Sequence, residues 1–410
     1  MNKLLPILFL LGLVLPAAAK LPADEFRARR AALRQSLDGT ILLMGQTEGS
    51  DPLFGFAQEP NFYYLTGWTE PAAALLVTPT EDILFLPHHD VHAERYHGKR
   101  WSAEDSGVQS ATGFDSIMPM EKLESELDRA LSAHQHIYTS GVSFQQLRSR
   151  YPFREIGDAV PLVTKLRVKK SPAELAAIQH ATDVSIAAHR AAWKRMTEGA
   201  YEYQVAATFT DTYLEAGCEG PAYAPIVASG PNGPVLHYST NHRRMDRGEA
   251  VVIDAAAECD NYASDITRTI PVGGKFTARQ REIYQIVLGA QKAAIAAVKP
   301  GARLSGQGET LTKIAKDYID AHGKDLHGEL LGKYFTHGIG HQVGLEVHDP
   351  NLEGPLTAGM VITIEPGIYI PDEQLGVRIE DVVLVTDKGA TVLSAALPKE
   401  PDEVEKAVSK

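Results

Sequence analysis

Four carboxylates at the ends of apolar segments constrain the fold of this chain more than any other feature. The run Val-Val-Ile ends in Asp254, and the run Val-Ile-Thr-Ile ends in Glu365. From each run the chain returns through a segment that carries another acid, Asp265 in the first case and Glu380 in the second. The two segment pairs predict two β-hairpins, each with a carboxylate on both arms. Their similar layout indicates an internal duplication of a helix-plus-hairpin unit.

Acids that end apolar strands are costly to bury unless positive charge meets them. Arg268 and Arg378 lie near in sequence, so a structural ion-pair network is one interpretation. A pair of divalent ions bridged by carboxylates from both hairpins is the stronger one. The segment Thr-His-Gly-Ile-Gly-His offers His337 and His341, but its glycines argue against a helix and no Glu follows the first histidine. We therefore expect an irregular segment that delivers one nitrogen ligand.

The length of the chain predicts two domains, because 410 residues exceed one average domain. Residues 20–167 alternate short apolar runs with helical stretches, which predicts an α/β domain. Ser171 and Glu174 form a capping box around a Pro-Ala pair, so a helix starts there and opens a second domain over 168–400. The acidic residues 401–410 are expected to form a solvated tail.

Net charge and the first residues limit the partners and the location. The net charge of −12 argues against nucleic acid, because phosphate binding needs a basic face. Residues 1–19 combine Lys3, an apolar run and three closing alanines, which is the pattern of a cleavable secretory signal peptide. The apolar run of about 12 residues is shorter than the roughly 20 that a membrane span needs. We expect an exported (periplasmic or extracellular) protein with no membrane attachment after cleavage.

The two cysteines limit what can hold a metal. Cys218 and Cys259 are too few for a disulfide framework or a thiolate zinc site. Whether they pair with each other stays open at this point. Any metal must therefore be held by carboxylates and histidines.

Five separated motifs carry a resemblance to a known family. They are VLHYSTN, VVIDAAAECDNYASDITRT, THGIGHQVGLEVHD, ITIEPGIYI and GVRIEDVVLV, in the family's order and with its spacings. The chain resembles the proline-specific aminopeptidase P branch of the pita-bread metallopeptidases, a family that also includes prolidase and methionine aminopeptidase. The segment FGFAQEPNFYYLTGWTEP (54–71) resembles the N-terminal domain of that branch. The resemblance implies an α/β N-terminal domain of the creatinase/aminopeptidase P type. It also implies an α+β pita-bread catalytic domain with pseudo-twofold helix-plus-hairpin halves.

The resemblance also implies roles for individual residues. The implied metal ligands are Asp254 on one metal, Asp265 and Glu380 bridging both, and His341 and Glu365 on the second. The implied catalytic residues are Glu365, His348, His237, His337 and Arg378. The implied substrate-binding residues are His237, His337, His348 and Tyr369. One departure is Ala256, which stands where the family commonly has glycine and removes no ligand.

The implied cofactor is a pair of divalent metal ions. An oxygen-rich shell suits manganese, with zinc, cobalt or iron as alternatives. Two such ions lower the pKa of a bridging water from about 16 towards about 7, which yields a nucleophile at neutral pH. In the resembling enzymes Glu365 would carry the proton, His348 would stabilise the oxyanion and His237 would help hold the substrate. The expected reaction releases the N-terminal residue from peptides with proline in second position.

Two other functions are compatible with parts of this motif set. A prolidase, which cuts only Xaa-Pro dipeptides, shares every metal ligand, and the sequence does not reveal the loops that separate the two enzymes. A pita-bread protein that only binds peptides or proteins usually lacks ligands, whereas all five stand here. Members of the resembling family are often dimers or tetramers, so the resemblance implies a homo-oligomer. His88, His89, His92 and His97 are interpreted as part of an exposed helix and not as a second metal site.

Overall fold

The computed structural model describes residues 21–47, 55–141 and 143–409. The predicted signal peptide, residues 1–19, lies outside the described residues. An α/β domain comes first and an α+β domain follows it. Among the described helices, none has the length and apolar character that crossing a membrane requires.

The N-terminal domain is built on one mixed sheet. Its strands are β1 (Thr40–Met44), β2 (Ala74–Val77), β3 (Asp82–Leu86), β4 (Ser116–Pro119), β5 (Ile137–Thr139) and β6 (Ile156–Asp158). Its helices are α1 (Ala23–Gln35), α2 (Pro60–Thr66), α3 (Val91–His97), α4 (Val108–Thr112), α5 (Leu123–Ala133), α6 (Ser143–Arg150) and α7 (Val160–Arg167). The strand order is β4-β3-β2-β1-β5-β6, antiparallel among β1, β2 and β3 and parallel outside them.

Both faces of this sheet are buried because its central strands are apolar throughout. Alternate residues of a strand point to opposite faces. Ile41 and Leu43 of β1 accordingly belong to the core that contains Phe26 of α1, whereas Leu42 belongs to a second core with Leu131 of α5. Helices therefore cover the sheet on both sides, and the predicted α/β class of this domain is confirmed.

The C-terminal domain begins with a long helix. Its helices are α8 (Pro172–Trp193), α9 (Glu202–Glu215), α10 (Ala278–Ala297), α11 (Leu311–His322) and α12 (Pro401–Val408). Its strands are β7 (Gly220–Pro221), β8 (Ile226–Ser229), β9 (Ala250–Asp254), β10 (Ala257–Cys259), β11 (Tyr262–Ala263), β12 (Thr267–Pro271), β13 (Val361–Ile364), β14 (Gly367–Ile370), β15 (Leu375–Arg378), β16 (Asp381–Thr386) and β17 (Gly389–Val392). The side chains of Ser171 and Glu174 each accept a hydrogen bond from the other residue's backbone, so the predicted capping box of α8 is confirmed.

Two long hairpins form the centre of this domain, and each is broken in its middle. The first pairs β9 with β12 and β10 with β11, and the second pairs β13 with β16 and β14 with β15. Pro366, which lacks an N–H, follows Glu365 at the second break, so the ladder cannot continue through it. Helices α8 and α9 pack together beside the first hairpin, and α10 and α11 beside the second. The predicted pseudo-twofold halves are confirmed.

The prediction of a solvated tail over 401–410 is wrong. Residues of α12 pack on the domain, and Pro401, Val404 and Glu405 are buried. The carboxylate of Glu405 pairs with Lys275 at 2.6 Å and with Arg281 at 2.7 Å. The acidic composition conceals an amphipathic helix, because apolar residues recur at helical spacing within it.

The two cysteines form a disulfide that ties the first hairpin to its neighbour. Cys218 follows α9, and Cys259 ends β10, which belongs to the outer half of the first broken hairpin. The bond therefore restrains the segment that connects Asp254 to Asp265.

Candidate metal centre and active site

The candidate site is a cavity of about 280 Å³ in the C-terminal domain. It is lined by Leu236, His237, Asp254, Asp265, His337, Gly338, Gly340, His341, His348, Glu365, Arg378 and Glu380. The predicted metal ligands and the predicted histidines thus come together in one place. Tyr369 lies beside the cavity, within hydrogen-bond distance of His337.

The breaks in the two hairpins place the four acids. Asp254 ends β9, Asp265 lies two residues before β12, Glu365 follows β13 and Glu380 precedes β16. At each of these points the ladder is interrupted, so the side chain is free to turn into the cavity. Ligand atoms of Asp265, His341 and Glu380 all lie within 4.8 Å of one another.

Protein cations neutralise only part of this negative charge. Arg378 donates to Asp254 at 2.7 Å. Arg268, the other arginine expected near the acids, instead pairs with Asp381 at 2.8 Å. Asp265 and Glu365 face the imidazole of His341 at 3.3 and 3.6 Å. The ion-pair interpretation therefore leaves the acids short of positive charge.

The pKa values of the acids reflect this shortage. Burial raises the pKa of Glu365 to about 7, and the charge of Asp265 adds to the shift. Burial and the neighbouring carboxylates raise the pKa of Glu380 well above its usual range. The pKa of Asp265 is raised for the same two reasons. Divalent cations would relieve all three shifts, so this donor set of carboxylate oxygens and one imidazole fits a metal pair.

Hydroxyl groups orient the carboxylates. Tyr223 has its hydroxyl 2.6 Å from Asp254 and 2.5 Å from Asp265. Thr267 donates to Glu380 at 2.6 Å, and the hydroxyl of Thr363 lies 3.2 Å from Glu365. Tyr223 is separated in sequence from both aspartates, and sequence reasoning missed it because no local pattern marks it.

A directed chain of hydrogen bonds fixes His337. Arg378 donates to the hydroxyl of Tyr369 at 3.0 Å, and that hydroxyl lies 2.8 Å from Nε2 of His337. Nδ1 of the same ring lies 2.8 Å from the carbonyl oxygen of Gly338. Since a carbonyl only accepts, Nδ1 carries the proton and Nε2 accepts from Tyr369. Burial lowers the pKa of His337 to about 4, so the ring is neutral at physiological pH.

His341 and His348 lie side by side in the wall of the cavity. Their ring centroids are 4.0 Å apart. Nδ1 of His341 lies 3.0 Å from the carbonyl oxygen of Gln342, which turns Nε2 towards Asp265 and Glu365. Burial alone would lower the pKa of His341, but the hydrogen bond and charge of Asp265 and the charge of Glu365 raise it to about 9.

A buried carboxylate outside the cavity holds the loop that carries His237. Glu202, at the start of α9, is fully buried and accepts five hydrogen bonds from residues 229–243. The donors are the backbone and hydroxyl of Ser229, the amide of Asn232, the hydroxyl of Tyr238 and the backbone of Arg243. Sequence reasoning missed Glu202 because a single Glu in a helix is usually exposed.

The histidine-rich segment of the N-terminal domain forms no comparable centre. Its helix, α3, has no buried residue. His88 pairs with Glu104 and Glu121, and His89 pairs with Glu94 and Asp105. Among the described residues, Asp265, His341 and Glu380 form a cluster whose ligand atoms could hold a metal ion, and no second such cluster occurs.

Similarity to known proteins supports a metal site made of these carboxylates and His341. The model of metallopeptidase family M24 matches residues 176–387, which hold all five predicted ligands. The chain belongs to metallopeptidase family M24. Membership of M24 implies divalent metal ions in this cavity. The model of the aminopeptidase P N-terminal domain matches residues 26–138.

Relatives of this M24 protein match it over nearly its whole length. The Xaa-Pro aminopeptidase of Haemophilus influenzae is 35% identical over 429 residues, spanning 94% of this chain and 97% of that protein. The Xaa-Pro aminopeptidase of Escherichia coli K12 is 32% identical over 431 residues, spanning 94% and 98%. The low-pH structure of E. coli aminopeptidase P has a TM-score of 0.85 and 30% identity, covering 95% of this chain and 99% of that chain. The predicted resemblance to aminopeptidase P and the predicted fold class are confirmed.

Proposed function

We propose that this protein is a metallo-aminopeptidase that releases the N-terminal residue from peptides with proline in second position. The observation that carries the proposal is the convergence of four strand-end carboxylates and His341 on one cavity, where the protein's own cations leave them short of positive charge. The names of the similar proteins, which are Xaa-Pro aminopeptidases, support the proline preference.

The five predicted ligands would hold two divalent ions. In this assignment Asp254 would serve one ion, Asp265 and Glu380 would serve both, and His341 and Glu365 would serve the second. When bound, such a pair of ions would supply a water nucleophile at neutral pH and would polarise the scissile carbonyl. Manganese is the proposed resident metal, because carboxylate oxygens dominate the ligand set.

The remaining side chains would bind the peptide and move the proton. Glu365 takes a proton from the attacking water and passes it to the departing proline nitrogen. His348 donates a hydrogen bond to the oxyanion, and His237 holds the substrate from the facing loop. His337 stays neutral and fixed by Tyr369, so its role is to position the peptide.

The proposal favours an aminopeptidase over a prolidase, which would cut Xaa-Pro dipeptides only. The N-terminal domain matches the aminopeptidase P type, and the relatives that span almost the whole chain are named Xaa-Pro aminopeptidases. A non-catalytic binding protein is disfavoured because all five ligand positions carry ligand side chains.

Export and self-association are further parts of the proposal. Residues 1–19 have the pattern of a signal peptide, and a disulfide between Cys218 and Cys259 suits an oxidising compartment. N-terminal sequencing of protein from the exported fraction tests cleavage after Ala19. Sedimentation of the purified enzyme tests the proposed homo-oligomer.

The function is tested by mass-resolved hydrolysis with manganese-loaded enzyme. The substrates are Arg-Pro-Pro-Gly-Phe, its matched control Arg-Ala-Pro-Gly-Phe and the dipeptide Ala-Pro, with Glu380→Ala as the inactive control. Release of arginine from the first pentapeptide and not from the control supports the proposal. Cleavage of the dipeptide alone would make the enzyme a prolidase. If none of the three substrates is cleaved, the alternative of a protein that only binds peptides or proteins would be favoured.

A further inference from the structure

A buried carboxylate lies immediately after His348 in the loop that borders the active site. Asp349 has a side chain only 1% exposed and faces two buried cations. Arg167 approaches one of its oxygens at 2.6 Å, and Lys170 approaches the other at 2.9 Å. Both cations are also 1% exposed, so the carboxylate offsets one of two positive charges away from water. The half-exposed carboxylate of Glu346 meets Arg167 as well, at 2.8 Å.

The cations come from the junction between the two domains. Arg167 ends α7, the last helix of the N-terminal domain, and Lys170 lies in the short connection before α8. Arg167 also donates to the side-chain oxygen of Asn61 in α2 at 2.8 Å. A continuous buried contact therefore runs from the N-terminal domain into the loop of the catalytic domain.

Asp349 also closes the loop 341–349 on itself. Its backbone N–H donates to the carbonyl of Gln342 at 2.9 Å, and its carboxylate accepts from the backbone of Glu346 at 3.3 Å. At Gly344 a Cβ atom would lie only 2.6 Å from the carboxyl group of Asp349, so the loop packs directly against that carboxylate. A displaced Asp349 must therefore shift the residue before it, His348.

The backbone of His341, at the other end of the loop, is also held by β13. It exchanges hydrogen bonds with Thr363 of β13, donating to the hydroxyl at 3.0 Å and accepting from the backbone N–H at 2.8 Å. Disturbing Asp349 is thus expected to move His348 while the metal ligand His341 stays in place.

We propose that Asp349, Arg167 and Lys170 form an interdomain anchor that positions His348 for catalysis, so that the N-terminal domain takes part in the reaction. Asp349 touches neither substrate nor metal and acts as a positioning residue. The inference rests on the proposed peptidase function. It predicts that breaking the anchor lowers kcat at unchanged metal content.

The test compares Asp349→Asn with Glu346→Gln in the full-length, manganese-loaded enzyme. The first change replaces the carboxylate with a neutral amide, so one of the two buried cations loses its acceptor oxygen and faces an N–H₂ group. The second removes the charge of Glu346, which pairs with the same Arg167 but has a side chain that is 45% exposed. We expect Asp349→Asn to lower kcat about tenfold or more with KM within about twofold and with unchanged bound manganese, and Glu346→Gln to stay within about twofold of wild type. Loss of bound manganese, or equal kcat in the two variants, would overturn the proposal.

A double-mutant cycle separates positioning from general damage. Because Asp349 acts through His348, adding Asp349→Asn to His348→Ala should lower kcat by no more than about twofold. If the double variant loses kcat by the product of the two single effects, Asp349 does not act through His348 and the anchor role is refuted. Should Asp349→Asn fail to fold, Arg167→Lys, which keeps the charge and loses the forked contact, must show the same non-additivity with His348→Ala.

The crystal structure of the anchor variant gives a readout that needs no activity. The centroid distance between His341 and His348, 4.0 Å in the wild-type chain, should change while the backbone of His341 stays on Thr363. An unmoved His348 would contradict the proposal even if the enzyme cleaves its peptides. Conversely, an inactive wild-type enzyme would refute the proposed function and leave this displacement measurable.

Discussion

The hydroxyl of Tyr223 lies 2.5 Å from the carboxylate of Asp265 and 2.6 Å from that of Asp254. A hydroxyl has one proton to donate, so it cannot satisfy both oxygens as ionised carboxylates. Tyr223 therefore fixes the spacing of two predicted ligands on one hairpin, and further positive charge must complete their environment.

The variant Tyr223→Phe should retain metal about tenfold less well, because removal of a group that orients metal ligands has that size of effect. Competition with a chelator measures it. Tyr213→Phe is the matched control, since Tyr213 is fully buried nearby and its hydroxyl finds no hydrogen-bond partner among the described residues. Equal metal retention in the two variants would show that the Tyr223 hydroxyl does not organise the site.

The buried carboxylate of Glu202 should matter for both stability and substrate affinity. Glu202→Gln puts an amide N–H₂ among five donors, which should lower the free energy of unfolding by about 1–3 kcal/mol. KM should rise, because the loosened loop carries His237. Urea denaturation and steady-state kinetics measure the two effects, with Glu215→Gln at the exposed end of the same helix as control. An unchanged KM would separate this loop from substrate binding.

Metal should stabilise the enzyme more as the pH rises. Folding raises the pKa of Glu365 from 4.5 to about 7 and that of His341 from 6.5 to about 9. Raised folded-state pKa values stabilise the protonated protein, so these contributions are full below about pH 4.5 and 6.5 and are lost through about pH 7 and 9. Metal competes with the same protons. The Tm difference between manganese-loaded and metal-free protein should therefore grow from pH 5 to 9. A constant difference would contradict this.

The disulfide should contribute to stability without touching the chemistry. Cys218 and Cys259 are 41 residues apart, and closing a loop of that length stabilises a fold by about 4 kcal/mol in the chain-entropy model. The double change Cys218→Ser and Cys259→Ser should lower the free energy of urea unfolding accordingly. The kcat of the folded variant should stay near wild type. A loss of kcat without a loss of stability would contradict a purely structural bond.

The sequence predicts the hairpins and the acids on them because β-branched runs and strand-end carboxylates are local signals. The local pattern alone does not distinguish the adjacent acids Glu380 and Asp381, and only the resemblance to the family selects Glu380. Glu380 turns into the cavity, whereas Asp381 meets Arg268 and Lys399, and these cations lower its pKa despite burial. That difference depends on segments distant in sequence.

The cysteine pairing and the roles of Tyr223 and Glu202 could not be predicted either, because they too depend on segments distant in sequence. The pairing of the two cysteines depends on how α9 packs against the first hairpin, which no spacing encodes. Tyr223 and Glu202 reach the site region only through tertiary packing. The helix at Pro401–Val408, by contrast, does carry a local signal in its leading proline and in the spacing of Val404 and Val408.

The proposed function depends on two metal ions held in this cavity by five protein ligands. Metal-free enzyme should be titrated with manganese, and bound metal per chain counted by mass spectrometry while peptide hydrolysis is followed in parallel. We expect two ions per wild-type chain, with hydrolysis appearing as they bind, and fewer than two with loss of hydrolysis in Glu380→Gln. Two ions retained by Glu380→Gln, or full activity of a metal-free wild-type chain, would contradict this proposal.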